Sequence, residues 1–227
     1  MSIPPQSSPQ PPNPPLVEYV IARTSDLPPI HAAMYEYVLA GNGVFVRGQR
    51  EGLAATIKVA KCFVRGLAPL QQSFQFNYPR VPASVLTRML QRSRTSSEGR
   101  LFKEPKEILF HLCWDATIWQ LIVPPQSATP TTVQPLGNSL DSSYERALIE
   151  CHSHHWMSPY FSTKDNAEET GFRIFAVLGH IFTMPSIRVR IGLYGHFLEI
   201  PANTIFELPE TITDAFSPQP LTQEDDE

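Results

Sequence analysis

Apolar and polar positions alternate with period two along most of this chain, and only in places with the 3.6-residue period of a helix. Gly43–Arg47 and Leu53–Ala60 alternate on either side of Gly48 to Gly52, which predicts a β-hairpin. Ser73-Phe-Gln-Phe-Asn77 alternates as a further strand. After Val81-Pro82 the spacing changes. Val85, Leu86, Met89 and Leu90 form an apolar stripe that predicts a helix to about Ser93, with Arg88, Arg92 and Arg94 on its outer side. Residues 97–106 are polar and predict a loop. Ile108–Trp114 and Thr117–Val123 predict two strands meeting at Asp115-Ala116, with Trp114 and Trp119 packed on the sheet. Phe172–Phe182, Ile187–Tyr194 and His196–Ile200 complete the set. Arg188 and Arg190 alternate with Ile187, Val189 and Ile191, which predicts one wet face and arginines free to meet an acidic partner. The class predicted is α/β, a curved mixed β-sheet with helices around it.

Length and composition narrow the picture. A chain of 227 residues suffices for one sizeable core. The domain is expected over 16–215, after a disordered Pro-rich start (1–15) and before an acidic disordered tail (216–227). A net charge of −4 offers no basic surface, which argues against nucleic-acid binding. Three cysteines without paired spacing suggest a reducing compartment. The first fifteen residues lack the apolar core of a secretory signal. The longest apolar stretch, Leu112 to Val123, is too short to span a bilayer and contains Asp115. A soluble, cytoplasmic protein without membrane association is expected; the sequence leaves its oligomeric state open.

The chemistry concentrates in one segment. Three of the seven histidines fall within four residues, His152, His154 and His155, after the apolar run Ala147-Leu148-Ile149. On a strand, His152 and His154 face one way, about 6.5–7 Å apart per two residues, while Ser153 and His155 face the other. Ser158-Pro159 breaks the strand. Ser162-Thr-Lys-Asp165 has the form of a capping box, opening a helix that Gly171 stops. Asp165 then stands in the first helical turn with Ser162 beside it. Two imidazoles and one carboxylate leave a fourth tetrahedral position open, as in catalytic zinc sites. The same residues also fit ordinary roles: a capping box with strand histidines around a core. His111 and Cys113 share a strand face and raise a second metal site against a core role. Cys151 adjoins His152 but faces away from it, which argues against a cysteine nucleophile.

His152-Ser-His154, ten intervening residues and Asp165, with Ser162 three before the Asp, resembles the JAMM (MPN+ or JAB) metalloprotease signature. More narrowly, residues 35–207 are similar to bacterial JAB proteins of plasmid-borne cassettes that also encode a ubiquitin-like protein and a ThiF-type activating enzyme, the PRTRC system protein A type. The resemblance implies a JAB/MPN-like (cytidine-deaminase-like) curved mixed sheet flanked by helices. It implies Zn2+ held by His152, His154 and Asp165, and Ser162 on the oxyanion side. It implies hydrolysis of peptide or isopeptide bonds at the C-terminus of a ubiquitin-like protein or its conjugate. A general-base glutamate is implied at the start of the first core strand, just after a helix. Glu36 fits, because Tyr37-Val-Leu-Ala and Val44-Phe-Val follow; Glu51 is the rival in the hairpin turn, and Glu150 stands two before His152. The family commonly has Pro where this chain has His155, which is expected to point away from the metal.

Two other readings stay open. A non-haem iron oxygenase uses the same two-His-one-carboxylate set, and a non-catalytic MPN-like scaffold would need no chemistry at all.

Overall fold

The computed structural model describes residues 13–97, 105–136 and 143–217. Most of the expected Pro-rich start, part of the 97–106 loop and nearly all of the acidic tail lie outside the described residues. The molecule is mixed α/β, with a curled mixed sheet and few helices. Its strands are β1 (Val17–Ile21), β2 (Tyr35–Ala40), β3 (Gly43–Arg50), β4 (Leu53–Ala60), β5 (Ser73–Phe76), β6 (Leu109–Asp115), β7 (Ile118–Ile122), β8 (Gln126–Ala128), β9 (Val133–Pro135), β10 (Ile149–Ser153), β11 (Phe172–Gly179), β12 (Ser186–Leu193), β13 (His196–Ile200) and β14 (Thr213–Asp214). The helices are α1 (Ala83–Ser97), α2 (Ser143–Arg146) and α3 (Thr163–Glu168). No helix among the described residues is long and apolar enough to cross a membrane.

The chain divides into two compact units, one of residues up to 49 with 54–73, the other of 50–53 with 74 onward. The first sheet runs in the order β1–β2–β3–β4–β5, with β1 parallel to β2 and β2 antiparallel to β3. Within the first unit Ala22, Val38, Ala40 and Phe45 are fully buried, and Val20, Leu27 and Leu70 pack on them. The predicted hairpin is present, but β3 continues through Gly48 to Arg50. Its turn is Glu51-Gly52, where Gly52 has φ +77°, a conformation that side-chain-bearing residues rarely adopt.

The second sheet has the order β13–β12–β11–β10–β6–β7, with β14 added alongside β12. β10 lies antiparallel to β6 and parallel to β11. A strand between two others and covered on its faces is mostly apolar, and Arg173 is the one charged residue on β11. All eight residues of β11 are buried. The stripe of α1 packs as expected, with Val85, Leu86, Met89 and Leu90 buried. Arg88 and Arg92 are exposed, but Arg94 turns inward and donates to the Ile181 carbonyl at 2.6 Å.

The expected wet face of β12 is not found. Arg190 is only 4 % exposed, with its guanidinium between the rings of Phe161 and Phe197, and is not free for a partner. Arg188 is half-buried beside Glu199. Period-two alternation records that a face is polar, not that water covers it.

One glycine decides how the sheet ends above the histidines. The chain after β10 stays paired with the end of β11: His154 N–H donates to Leu178 O at 2.8 Å, and His180 N–H to Met157 O at 2.8 Å. Between these bonds the backbone at Pro159 crosses Gly179 so closely that a Cβ there would lie 2.3 Å from the Pro159 nitrogen. Gly179→Ala is expected to cost about 1–3 kcal/mol of stability through this backbone overlap. Chemical denaturation checks it; an unchanged midpoint would mean the loop yields freely.

Candidate metal centre

The strand β10 presents its residues alternately. Cys151 is fully buried, and burial pushes its thiol up, which removes it as a nucleophile. Ser153, on the same side, uses its hydroxyl to accept the Ile108 N–H at 3.2 Å, while its own N–H donates to Ile108 O. This bonding fixes the entry to β6 against the exit of β10. Glu107, one residue before, is thereby held next to His154, with Oε1 3.7 Å from His154 Nε2.

The histidine pair is tightly specified. The Ser158 carbonyl lies 3.0 Å from His154 Nδ1, and a carbonyl only accepts, so Nδ1 carries the proton. His154 Nε2 then offers a lone pair, 3.3 Å from His152 Nε2. Burial holds His152 down to about 4 despite the pull of Asp165, and burial lowers His154 as well. Both rings are neutral at neutral pH, the form that binds metals. His155, as expected, turns elsewhere, and its ring lies parallel to Phe182.

The helix α3 brings the carboxylate. Ser162 is its N-cap: the Ser162 hydroxyl accepts the Asp165 N–H at 3.1 Å, and the Ser162 N–H donates to Asp165 Oδ2 at 2.6 Å. The cap spends one oxygen of Asp165 and leaves the other, Oδ1, 3.8 Å from His152 Nε2. The helix ends at Glu168, before Gly171, with Glu169 as C-cap.

These groups line a cavity of about 120 Å³ together with Tyr160, Glu150 and Glu169. Burial, reinforced by Asp165, pushes the Glu107 carboxyl up to about 8. Its Oε1 is buried without a hydrogen-bond partner. An unpaired buried oxygen 3.7 Å from one imidazole nitrogen of the histidine pair suits a bound cation. So does the spacing: zinc–nitrogen bonds of about 2.0–2.1 Å at tetrahedral angles separate two ligand atoms by about 3.3–3.4 Å. His152, Asp165 and Glu169 form a group that can hold a metal ion, their ligand atoms lying within 4.8 Å of one another. The site can therefore be completed in two ways, with His154 or with Glu169.

The other sequence candidates have different partners. Glu36, in the first unit, is buried and engaged: Arg47 holds Oε2 through Nε at 2.7 Å, and the His31 N–H donates to Oε1 at 2.7 Å. Glu51 is exposed at the hairpin turn, beside a different cavity lined by Arg50, Tyr78 and Trp114. Glu150 lines the metal cavity, yet its Oε2 lies near Arg173, at 3.6 Å, and His111, at 3.7 Å. His111 is bonded through Nδ1 to the Ser143 hydroxyl at 2.8 Å and is held down to about 4 by burial. Cys113 lies against the Ser143 carbonyl instead of forming a second metal site with His111.

Glu107 is not among the candidates that the sequence pattern offers, although the sequence holds a signal for it. An acid stands immediately before the apolar run Ile108–Trp114, on the first strand after a strongly striped helix. Glu169 and Arg190 gave no such signal. A scan against protein-family models finds no match for the chain, and a search of curated proteins finds none either.

The buried acid has a pH signature in protein stripped of metal. Glu107 keeps its proton in the fold up to about 8, whereas the unfolded carboxyl loses it near 4.5. Between those values the folded state binds the extra proton, so the stability from this group falls as pH rises. His152, lowered to about 4, acts oppositely, adding stability up to its ordinary 6.5. The window from 6.5 to 8 therefore leaves out the histidine and holds two carboxyls, Glu107 and Glu169, the latter also pushed up to about 8 by burial, so the difference between wild type and Glu107→Gln reads Glu107 alone. Urea midpoints measured with a chelator should fall across that window, and less steeply in Glu107→Gln. Equal slopes would remove Glu107 from the buried, proton-holding state.

Proposed function

We propose that this chain is a zinc-dependent hydrolase of peptide or isopeptide bonds with a JAB/MPN-like fold. The observation that carries the reading is the unpaired Glu107 oxygen beside His154, in a cavity that His152 and Asp165 also line. His152, His154 and Asp165 would hold the zinc. When bound, the ion supplies a Lewis acid that polarises a carbonyl and acidifies a water.

The chain's own groups supply the remaining chemistry. With a cation in the site the Glu107 carboxyl would be ionised, and its Oε1 then accepts the proton as a water oxygen attacks the carbonyl carbon. The carbon–nitrogen bond then breaks, and Glu107 returns the proton to the leaving amine. The Ser162 hydroxyl accepts from Asp165 N–H, so its own hydrogen is left to donate to the carbonyl oxygen as charge develops there. The Ser158 carbonyl keeps His154 in the tautomer that presents Nε2 inward. We assign the base to Glu107 in place of Glu36, both of whose oxygens are already bonded.

A cavity of about 120 Å³ takes a scissile group and not a folded domain. The substrate is therefore an extended tail, laid along Thr131 to Val133 of the β8–β9 hairpin, which forms one wall. With the motif resemblance, this supports the C-terminal tail of a ubiquitin-like protein, in a cytoplasmic pathway with a ThiF-type activating enzyme. An iron oxygenase would use the same ligands, but a buried acid with a free oxygen has no role there.

Glu107→Gln should retain zinc while cleavage of a ubiquitin-like fusion falls about 100- to 10,000-fold. His152→Ala should lose zinc, and Glu36→Gln should lower stability without a comparable loss of turnover per folded molecule. Metal analysis and a gel-based cleavage assay read all three. Full turnover by Glu107→Gln would sink the mechanism.

A further inference from the structure

The same cavity poses a problem of ligand choice. Glu169 is 6 % exposed and brings a carboxylate oxygen within 4.8 Å of the ligand atoms of His152 and Asp165. As the C-cap of α3, its backbone is fixed, its N–H bonded to Asp165 O at 2.8 Å. Only its side chain is free to choose a partner, and that partner is Arg190.

The arginine is built in from four sides. Its Nε donates to Glu169 Oε2 at 2.8 Å, and Nη2 donates to the same oxygen. Its Nη1 donates to Asn166 Oδ1 at 2.6 Å, one residue after Asp165. Phe161 and Phe197 cover the two faces of the guanidinium, 3.8 and 3.7 Å from their ring centroids. The group cannot shed its charge and has no room to rotate. Catalytic zinc keeps one position open, whereas structural zinc has four protein ligands. A fourth protein ligand from Glu169 would convert the first kind into the second.

We infer that Arg190 keeps Glu169 out of the metal's ligand set, holding open the position that substrate needs. This rests on the metal-centre reading above. Arg190 is a positioning residue, and its effect is read in metal affinity as well as in turnover. Its grip on Asn166 and Glu169 also sets the seat of α3, and therefore of Asp165. A purely structural ion pair predicts the opposite sign for metal binding. Losing Arg190 would then leave a buried carboxylate unpaired and loosen α3, so zinc would bind no better or worse.

The test titrates the full chain with zinc against a chromophoric chelator. Arg190→Met keeps the apolar stem between the two rings and removes the charge. It should bind zinc more tightly, by about ten- to a hundredfold, while hydrolysis falls. Arg190→Met/Glu169→Asp keeps the negative charge but loses reach by one methylene, and should return to wild-type affinity. Zinc binding no tighter in Arg190→Met overturns the inference. So does tightening that survives Glu169→Asp, because charge alone would then explain it. If Arg190→Met does not fold, Arg190→Lys, with fewer bonds to Glu169, should show a smaller tightening, and none overturns the proposal. Wild-type protein that takes up no zinc sinks the metal-centre reading itself. Zinc-loaded wild type with an unresponsive Arg190 sinks only this one.

Discussion

A buried carboxylate with an unpaired oxygen is the constraint on which the rest of the second unit turns. Glu107 Oε1 has no donor, and His154 Nε2, 3.7 Å away, belongs to a ring whose proton sits on the far side. Left so, such a group costs a few kcal/mol. The fold nonetheless imposes the arrangement, because the Ser153–Ile108 bonds lock the start of β6 to the end of β10. A divalent cation between His152, His154 and Asp165 would turn this cluster from a liability into a source of stability, through the coupling of metal binding to folding.

The helix α3 shows why an ordinary and a functional reading of one motif need not compete. It has six residues and buries none of them, so it has no apolar face to hold it in place. The capping box holds its start and Arg190 holds its end. The same Asp165 that closes the box through Oδ2 turns Oδ1 toward His152. Ser162 likewise caps the helix through its lone pairs and keeps its hydrogen. The capping and the chemistry proposed above would draw on different atoms of the same two side chains.

Much of this architecture was legible in the chain. The β3–β4 hairpin, the β6–β7 pair, α1, β11 and β12 follow from periodicity, because each buries a face that only regular spacing can build. The His152, His154, Ser162 and Asp165 set was legible because strand alternation and a capping box place residues locally. Glu107 is brought to the site by strand pairing over 45 residues of sequence, which no local pattern encodes. The strand-after-helix rule pointed to it, but Glu36 drew the assignment. In the structure the described residues before β2 contain no helix, whereas α1 precedes β6. Arg190 was misread for a related reason: spacing places it on a face, and only Phe161 from before α3 and Phe197 from across the β12–β13 hairpin cover that face.

The most direct test of the account is zinc-edge X-ray absorption on protein purified without added metal. The account predicts one zinc per chain, with two imidazole nitrogens and oxygen ligands in a four-coordinate shell. Iron in place of zinc, or a chain that takes up no metal at all, would contradict it.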